Sequence, residues 1–278
     1  MLRSEKIRCI ALDLDGTTLN SLGNLSERTR KAIQAALERK IHVVIASGRP
    51  VSSLPEEVVR IPGIRYAVTS NGAAVRDLRT GEILREYKMT PEAAEGILEL
   101  TEGMDVAYET FIAGTAYAQA SDVADPVRYG AAASAVPYVR RTRKPVEDIR
   151  GFIRRHKREL DSVDVVIREG KEKLWKKLET QLDDVYVTSS VPQLLEISHK
   201  EAGKASGICF LLEYLKIPRE YLAAFGDGDN DSGMLRLAGT GVAVANAVPG
   251  CLAAADRITG SNDEDGVAAE LERMLAGR

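Results

Sequence analysis

The chain has 278 residues, of which 44% are hydrophobic and 28% charged, a balance typical of a globular protein and not of a disordered or fibrous one. This length allows one large α/β domain or two smaller domains. The 38 Lys and Arg against 41 Asp and Glu leave a net charge of −3, which is too small to attract a nucleic acid or an anionic membrane by bulk charge.

Residues 1–6 contain no uninterrupted apolar stretch or small-residue cleavage site, and no later segment approaches the length of an apolar membrane span. Cys9, Cys209 and Cys251 lie far apart in apolar contexts, without a CxxC pair or a nearby His. We interpret them as reduced core residues. Together these features predict a cytoplasmic protein.

The first predicted element is a strand over residues 7–14, where a mostly apolar run ends in acidic residues. This pattern is typical of a parallel strand that is buried on both faces and carries function at its tip. Asp13 and Asp15 can face one small pocket if the chain turns sharply at Gly16. Such a pair caps a turn, holds a cation, or combines a nucleophile with a proton carrier, and this segment alone does not decide between them.

Ser26 is expected to cap a helix that leads to a second apolar strand over residues 42–46. Ser47, Gly48 and Arg49 end that strand. A hydroxyl beside backbone N–H groups can bind a phosphoryl oxygen, although a Ser at a strand end is more often a plain turn or cap residue.

A third strand is predicted over residues 66–68, and the pattern changes after Asn71. Two short strands and then a mixed series of helices and strands follow, which predicts an inserted α+β domain over residues 85–193. A basic run lies within it, at Arg140, Arg141, Arg143 and Lys144. This run could face an anionic substrate, but we interpret it as a solvated loop before Pro145.

The alternation of strands and helices resumes with a strand over residues 194–197, a helix from Lys204 to Leu215 and a strand over residues 222–225. We therefore predict an α/β fold, with a doubly wound, Rossmann-like parallel sheet as its core and an inserted α+β cap domain. The core is expected to comprise residues 1–84 and 194–278. Ligands of such a sheet bind at the carboxyl ends of its strands.

Lys204 stands at a helix start, where a cation opposes the helix dipole and is usually just solvated. Its position therefore requires an explanation. A P-loop does not supply one, because Ala205 follows in place of Ser or Thr and the earlier Gly is missing.

The acidic segment Gly226-Asp227-Gly228-Asp229-Asn230-Asp231 follows the strand over residues 222–225 and should end at the same sheet edge as Asp13. Its three aspartates have the spacing of the first ligands of a calcium loop. That loop requires Gly at position six and Glu at position twelve, where this chain has Ser232 and Ala238. A magnesium ion held by a few carboxylates fits better.

Taken in order, DLDGTT at Asp13, the strand end at Ser47, Lys204 and GDGDND at Gly226 resemble the four motifs of the haloacid dehalogenase-like hydrolases. The chain is most similar to the Cof-type sugar-phosphatase branch, which carries a type-2B cap. The similarity to that branch rests on TSNGA at residues 69–73, GVAVANA at residues 241–247 and AADRITGSNDEDGVA at residues 254–268.

The resemblance implies that Asp13 attacks phosphorus and forms an aspartyl-phosphate, while Asp15 acts first as the acid and then as the base. It also implies a Mg²⁺ ion held by the carboxylates of Asp13 and Asp227 and the backbone carbonyl of Asp15. The substrate would be a small phosphorylated metabolite. The dehalogenases and ATP-driven pumps of the superfamily lack an aspartate two positions after the nucleophile. Its presence here as Asp15 therefore favours phosphate-ester chemistry.

Further roles follow from the same resemblance. Asp231 would orient Lys204 or a metal-bound water, and Arg49 and Asn71 would face the cap side and touch the substrate. The residues expected to bind the phosphoryl group are Leu14, Ser47, Gly48, Lys204 and Asn230. One departure concerns Ala205, where relatives often have Gly, and it makes Lys200 a minor rival for the role of Lys204.

Three other functions are compatible with parts of this pattern. A phosphomutase uses the same aspartyl-phosphate core but must exclude water. A signalling receiver also phosphorylates an aspartate, but it needs neither the second carboxylate nor a large insert. A binding protein without catalysis would be expected to have lost a catalytic position. The sequence leaves the identity of the substrate and the oligomeric state open, since specificity should come from the cap.

Overall fold

The computed structural model describes residues 7–131 and 133–277, so residues 1–6 of the targeting prediction lie outside that part. Across the described ranges, no helix has both the length and the apolar character needed to cross a membrane. The chain divides into two compact units. The first, the core unit, runs to Ser47, continues over Leu54–Arg85 and resumes from Gly203. The second, the cap unit, comprises Gly48–Ser53 and Glu86–Ala202.

Fourteen strands occur in the described residues. In chain order, β1 to β14 are Cys9–Leu12, His42–Ala46, Tyr66–Thr69, Ala74–Asp77, Ile83–Glu86, Val106–Ile112, Thr115–Gln119, Arg143–Val146, Leu160–Ile167, Val185–Thr188, Leu194–His199, Leu222–Gly226, Thr240–Ala243 and Arg257–Ile258.

Eleven α-helices occur in the same ranges. In chain order, α1 to α11 are Glu27–Glu38, Glu56–Val59, Pro91–Leu100, Ala120–Ala124, Val136–Thr142, Ile149–Arg155, Lys171–Gln181, Lys204–Leu215, Ser232–Leu237, Pro249–Ala254 and Gly266–Ala276. The predicted cap of α1 is confirmed, because the Ser26 hydroxyl accepts a hydrogen bond from the Thr29 amide at 3.0 Å.

The core unit is built on an eight-stranded sheet with the order β14-β13-β12-β1-β2-β3-β4-β5. Pairings from β14 to β3 are parallel, and β4 runs antiparallel to β3. In β1, Leu12 is in register with Phe225 of β12 and Ile45 of β2. All of β1 is buried, as expected for a strand covered on both faces. The carboxyl ends of β1, β2 and β12 therefore meet at one edge of the sheet.

The cap unit has a six-stranded sheet with the order β10-β11-β9-β6-β7-β8, in which only β7 and β8 are parallel among the described pairs. Helices α3, α6 and α7 cover one of its faces. Their apolar side chains form a single core with that face, for example Ile97, Ile153 and Leu178 with Tyr108 and Val165.

Two boundaries differ from the prediction. Strand β11 was assigned to the core from residue 194, but it pairs with β9 and β10 of the cap sheet, and the core resumes near Gly203. A buried strand that precedes a helix has the same apolar pattern in the core sheet as in the cap sheet, so the sequence of β11 does not distinguish the two. Residues 48–53 also belong to the cap unit and not to the core.

The basic run is not a loop, although Arg140, Arg141 and Lys144 are exposed as predicted. Its residues lie at the end of α5 and in β8, and Arg143 is mostly buried against Glu109, with Arg Nη2 2.6 Å from Glu Oε2. Charge composition alone predicted solvent exposure, but the carboxylate on β6 lets the guanidinium remain buried.

Candidate active site

Three carboxylates converge at the carboxyl edge of the core sheet. Asp13 follows β1 directly, and Asp227 and Asp231 follow the neighbouring strand β12. The Asp13 amide donates to the Phe225 carbonyl at 3.1 Å, so the parallel ladder continues as far as the first carboxylate. One oxygen from each of the three carboxylates lies within 4.8 Å of the others. The sequence prediction that two acidic strand tips meet here agrees with this geometry.

A tight turn over Leu14–Thr18 folds back onto the second acidic loop. Gly16 has φ +77°, and a Cβ at this position would lie 2.4 Å from Asp227 Oδ2, so the turn requires Gly both for its backbone and for its close approach. The Thr17 hydroxyl donates to Asp227 Oδ1 at 2.7 Å, and the Thr18 hydroxyl donates to the Asp13 carbonyl. These bonds hold Asp227 beside the nucleophile candidate.

Lys204 is the buried cation of the site. Its side chain is 1% exposed, and Nζ lies 2.6 Å from Asp13 Oδ1 and 2.6 Å from Asp231 Oδ1. These two carboxylates explain why a lysine can begin α8, where the helix dipole opposes it. The rival Lys200 is half-exposed and pairs with Asp184 at 2.6 Å. The structure therefore brings Lys204, and not Lys200, to Asp13.

Asp231 connects this lysine to the acidic loop. Its Oδ2 accepts hydrogen bonds from the amides of Asp227 and Gly228, both at 3.0 Å, while Oδ1 faces Lys204. A carboxylate fixed by two amides can hold an ammonium group in one position. This contact is compatible with the positioning role expected for Asp231, which stays a prediction.

Asn71 and Asn230 are both buried and contact each other, with Asn230 Nδ2 donating to Asn71 Oδ1 at 3.1 Å. Asn71 has φ +49°, a left-handed conformation that asparagine tolerates better than most residues. Its carbonyl accepts from the Gly203 amide at 2.7 Å, and a Cβ at Gly72 would lie 2.1 Å from the Gly203 carbonyl oxygen. The turn that contains Asn71 and Gly72 therefore packs tightly against the start of α8.

Ser47 is buried at the end of β2, where its amide donates to the Val68 carbonyl and its carbonyl accepts from the Asn71 amide. Leu14 is fully buried in the turn after β1, whereas the Asp15 side chain is exposed. The phosphate-binding roles of Ser47, Leu14 and Asn230 and the acid and base roles of Asp15 stay predictions.

Gly48 and Arg49 belong to the cap unit. The Arg49 guanidinium lies 4.4 Å from the centroid of the Tyr138 ring, and its Nη1 donates to the Ser53 carbonyl at 3.0 Å. Their expected contacts with phosphate and substrate stay predictions.

Burial and neighbouring charges shift the pKa values of the cluster. Burial, followed by the charge of Asp231, raises the pKa of Asp13 well above its usual range, and Lys204 offsets part of this rise. Burial and Asp231 likewise raise the pKa of Asp227 to about 6, while the hydrogen bond from Thr17 lowers it. Burial by itself would lower the pKa of Lys204, but Asp13 and Asp231 outweigh burial and raise it. Lys204 is therefore the charged ammonium of the cluster.

The donor set fits a hard divalent cation. It consists of carboxylate oxygens alone, which Mg²⁺ prefers, and the oxygens of Asp13, Asp227 and Asp231 are close enough to share one ion. The buried carboxylates outnumber the single ammonium group of Lys204, so a further cation would relieve their mutual repulsion.

The family model for haloacid dehalogenase-like hydrolases matches residues 10–271. The chain belongs to this family. The resemblance inferred from the four motifs is thereby confirmed, and the chain is an enzyme of the haloacid dehalogenase-like phosphatase class.

Three similar proteins illustrate this membership of the haloacid dehalogenase-like family. Phosphatase YwpJ of Bacillus subtilis is 30% identical over 97% of this chain and 100% of its own length. The 5-amino-6-(5-phospho-D-ribitylamino)uracil phosphatase YcsE of the same organism is 30% identical over 97% and 96%. A solved haloacid dehalogenase-like hydrolase from B. subtilis superposes with a TM-score of 0.80 at 28% identity, covering 96% of this chain and 99% of that one. The predicted fold class is confirmed.

Two residues that hold this haloacid dehalogenase-like site in place, Thr17 and Asn246, were not predicted from the sequence. Thr17 was not singled out, although its place directly after Gly16 was the available signal. Asn246 donates from Nδ2 to the Gly16 carbonyl at 2.8 Å, and its Oδ1 accepts from the Asn262 amide at 2.9 Å. The contact between Asn246 and Gly16 joins residues that lie 230 positions apart, which no local pattern reveals.

Proposed function

We propose that this enzyme is a Mg²⁺-dependent phosphatase that hydrolyses small phosphorylated metabolites, such as sugar phosphates, through an aspartyl-phosphate on Asp13. The observation that supports it best is the buried Asp13 carboxylate at the tip of β1, held at 2.6 Å by the buried Lys204 ammonium and adjoined by two further carboxylates. A nucleophilic carboxylate needs a fixed orientation and nearby positive charge to approach an anionic phosphate.

Asp13 would attack phosphorus in line with the departing alcohol, so that a bond forms between its carboxylate oxygen and phosphorus as the ester bond breaks. Lys204 would bind a phosphoryl oxygen and neutralise its charge. Asp231, anchored by two backbone amides, would keep that ammonium group in place.

Asp15 would transfer the protons of both steps. It would first donate a proton to the alkoxide oxygen that leaves, and would then take a proton from the water that attacks the aspartyl-phosphate. The exposure of its side chain is compatible with this exchange. Release of inorganic phosphate regenerates the Asp13 carboxylate.

The carboxylates of Asp13 and Asp227 and the backbone carbonyl of Asp15 would hold the Mg²⁺ ion. When bound, Mg²⁺ supplies positive charge that stabilises the phosphoryl oxygens. Thr17, through its bond to Asp227 Oδ1, fixes the orientation of that ligand.

The names of similar proteins support a small phosphorylated substrate. The relative YcsE is named for hydrolysing 5-amino-6-(5-phospho-D-ribitylamino)uracil, a phosphate ester of a polyol chain.

A cytoplasmic location is also proposed, since Cys9, Cys209 and Cys251 are all free thiols, although Cys209 is only partly buried.

A panel of phosphate monoesters, assayed for inorganic phosphate with Mg²⁺ and again with EDTA, tests the proposed function. We expect phosphate release from at least one small ester, and its loss on chelation. Isomerisation of a sugar phosphate without phosphate release, or hydrolysis that persists in EDTA, would contradict the proposal.

Asp15→Asn is expected to slow turnover by about 10²–10⁴-fold, because the variant retains the nucleophile but cannot transfer protons. Rapid-quench kinetics should show phosphorylated enzyme accumulating as the alcohol is released. Phosphoenzyme that breaks down at the wild-type rate would exclude Asp15 as the base.

Activity is expected to fall as the pH drops through about 6, because Asp227 then takes up a proton and loses the charge that holds Mg²⁺. Thr17→Val removes the hydrogen bond that lowers the pKa of Asp227, so this fall should begin roughly half to one pH unit higher. Thr17→Ser keeps the hydroxyl and serves as the control. The measurement is kcat/KM against pH at subsaturating Mg²⁺, and coincident acid limbs for the two variants would refute the role of Thr17.

A further inference from the structure

The loop after β13, residues 244–248, contacts both of the loops that carry the acidic residues of the core unit. We call it the bridging loop. Its Val248 amide donates to the Asp227 carbonyl at 2.9 Å, and its Asn246 side chain donates from Nδ2 to the Gly16 carbonyl at 2.8 Å. The bridging loop therefore fixes the turn after β1 relative to the acidic loop after β12.

The Gly16 carbonyl belongs to the residue that follows Asp15. Asp15 has φ −75° and ψ 122°, and Gly16 has φ +77° and ψ −5°, which are the angles of the two central residues of a type II turn. The exposed Asp15 side chain thus stands at the tip of the turn. Because glycine is the most permissive residue of the backbone, a contact from outside the turn limits the conformations that its tip can adopt.

A second asparagine holds Asn246 in the orientation that this contact requires. The Asn262 amide donates to Asn246 Oδ1 at 2.9 Å, so the donor group Nδ2 faces the Gly16 carbonyl. Asn262 also donates from its own Nδ2 to the Leu19 carbonyl at 3.0 Å, directly after the turn. The two asparagines therefore bind the turn at its tip and at its exit.

Both asparagines lie in segments that have no role in the proposed function. Asn246 belongs to GVAVANA and Asn262 to AADRITGSNDEDGVA. Asn246 is exposed, and a hydrogen bond between exposed groups contributes little to stability, because water replaces either partner when the bond breaks. Geometry is more sensitive, since a reacting group displaced by about 1 Å can lose about 10²-fold in rate. The contacts of Asn246 are therefore better suited to positioning than to stabilising the fold.

On the basis of the proposed function, in which Asp15 is the acid and then the base, we propose that Asn246, oriented by Asn262, is a positioning residue for the Asp15 carboxyl. As the ester bond between phosphorus and the alcohol oxygen breaks, Asp15 gives its proton to that oxygen. Asn246 fixes the place of this carboxyl through the peptide that follows it, and it does not contact the phosphoryl group.

Two substrates with different leaving groups test the placement of the Asp15 carboxyl. An alkoxide is a strong base and needs a proton as it leaves, whereas p-nitrophenolate is a weak base and leaves without one. For Asn246→Ala we expect kcat/KM to fall at least about tenfold for the alkyl phosphate that the ester panel identifies, and less than about threefold for p-nitrophenyl phosphate. Equal losses for both substrates, or no loss for either, would overturn the proposal.

Asn20→Ala is the matched control. Asn20 Oδ1 accepts from the Leu22 and Asn24 amides at 3.1 and 2.9 Å, so this variant also loses two hydrogen bonds close to the turn, but neither of them reaches its tip. Both substrates should keep kcat/KM within about threefold of the wild type. If Asn20→Ala reproduces the selective loss, the loss does not depend on Asn246 and the proposal is wrong.

A double variant separates the role of Asn246 from the proposed function itself. Wild-type hydrolysis of the alkyl phosphate by Asp15→Asn would contradict the proposed function, and the role of Asn246 with it. With Asp15→Asn slow, the addition of Asn246→Ala should slow the alkyl phosphate less than about threefold further, because the group that Asn246 positions is already absent. Losses that multiply in the double variant would refute the role of Asn246 alone.

Thermal unfolding distinguishes positioning from a structural role. The Tm of Asn246→Ala should lie within about 2 °C of the wild-type value, because the side chain is exposed. A larger fall in Tm, accompanied by equal losses for the two substrates, would mean that Asn246 stabilises the fold and would contradict a positioning role.

Discussion

Asp13→Asn is expected to reduce phosphate-ester hydrolysis by at least about 10⁴-fold, to the limit of detection, because the amide cannot form the covalent intermediate. The effect should fall on kcat, since the groups proposed to bind the phosphate remain in place. Substrate affinity, measured by equilibrium binding, should change far less than turnover does.

The variant should remain folded. Asp13 is buried beside Asp231 and Asp227, so the uncharged Asn removes a repulsion as well as an attraction to Lys204. Asp229→Asn is the matched control, because Asp229 is an exposed aspartate of the same acidic loop. That control should keep near-wild-type activity. Comparable loss in both variants would indicate that the net charge of the loop, and not Asp13, determines the rate.

Lys204→Met is expected to have the second-largest effect, lowering both activity and stability. Removal of the buried ammonium leaves the Asp13 and Asp231 carboxylates facing each other without a cation, and breaking a buried ion pair costs about 3–5 kcal/mol. We expect a fall in kcat/KM of about 10²–10³-fold, since the phosphoryl charge loses a fixed counter-charge. Denaturant unfolding and steady-state kinetics measure the two losses.

Lys200→Met provides the matched control for this variant. Lys200 lies four residues earlier, and its half-exposed ion pair with Asp184 should contribute little. Its removal should change the free energy of unfolding by less than about 1 kcal/mol and leave kcat/KM within a few-fold. If Lys200→Met is the more damaging substitution, phosphate binding should be assigned to Lys200 instead.

The core and the centre of its site were largely predictable from local patterns. Buried parallel strands are apolar along their whole length, so the aspartates that end β1 and β12 stand out against them. The interest of Lys204 had a different origin, since a cation at a helix start is opposed by the helix dipole and its position required an explanation. Parallel pairing of β1 with β12 then places all these groups at one edge.

Features that depend on long-range register were not predictable in this way. The apolar sequence of β11 is compatible with the core sheet and with the cap sheet. Its pairing with β9 assigns it to the cap sheet. Arg143 lies in a basic run that predicts solvent exposure, and its burial depends on Glu109 of another strand. The register of three strands also brings Glu109, Asp164 and Glu196 side by side, although no two of them are close in sequence.

The most direct test of the central claim is to identify the residue that carries the phosphoryl group. The Asp15→Asn variant would be mixed with a substrate and Mg²⁺, quenched in acid and treated with borohydride, which reduces an acyl phosphate and leaves a mass change that peptide sequencing by mass spectrometry can locate. We predict that the change is found at Asp13 and is absent without substrate. Release of the alcohol with no modification at Asp13, or modification of a different residue, would contradict the aspartyl-phosphate mechanism.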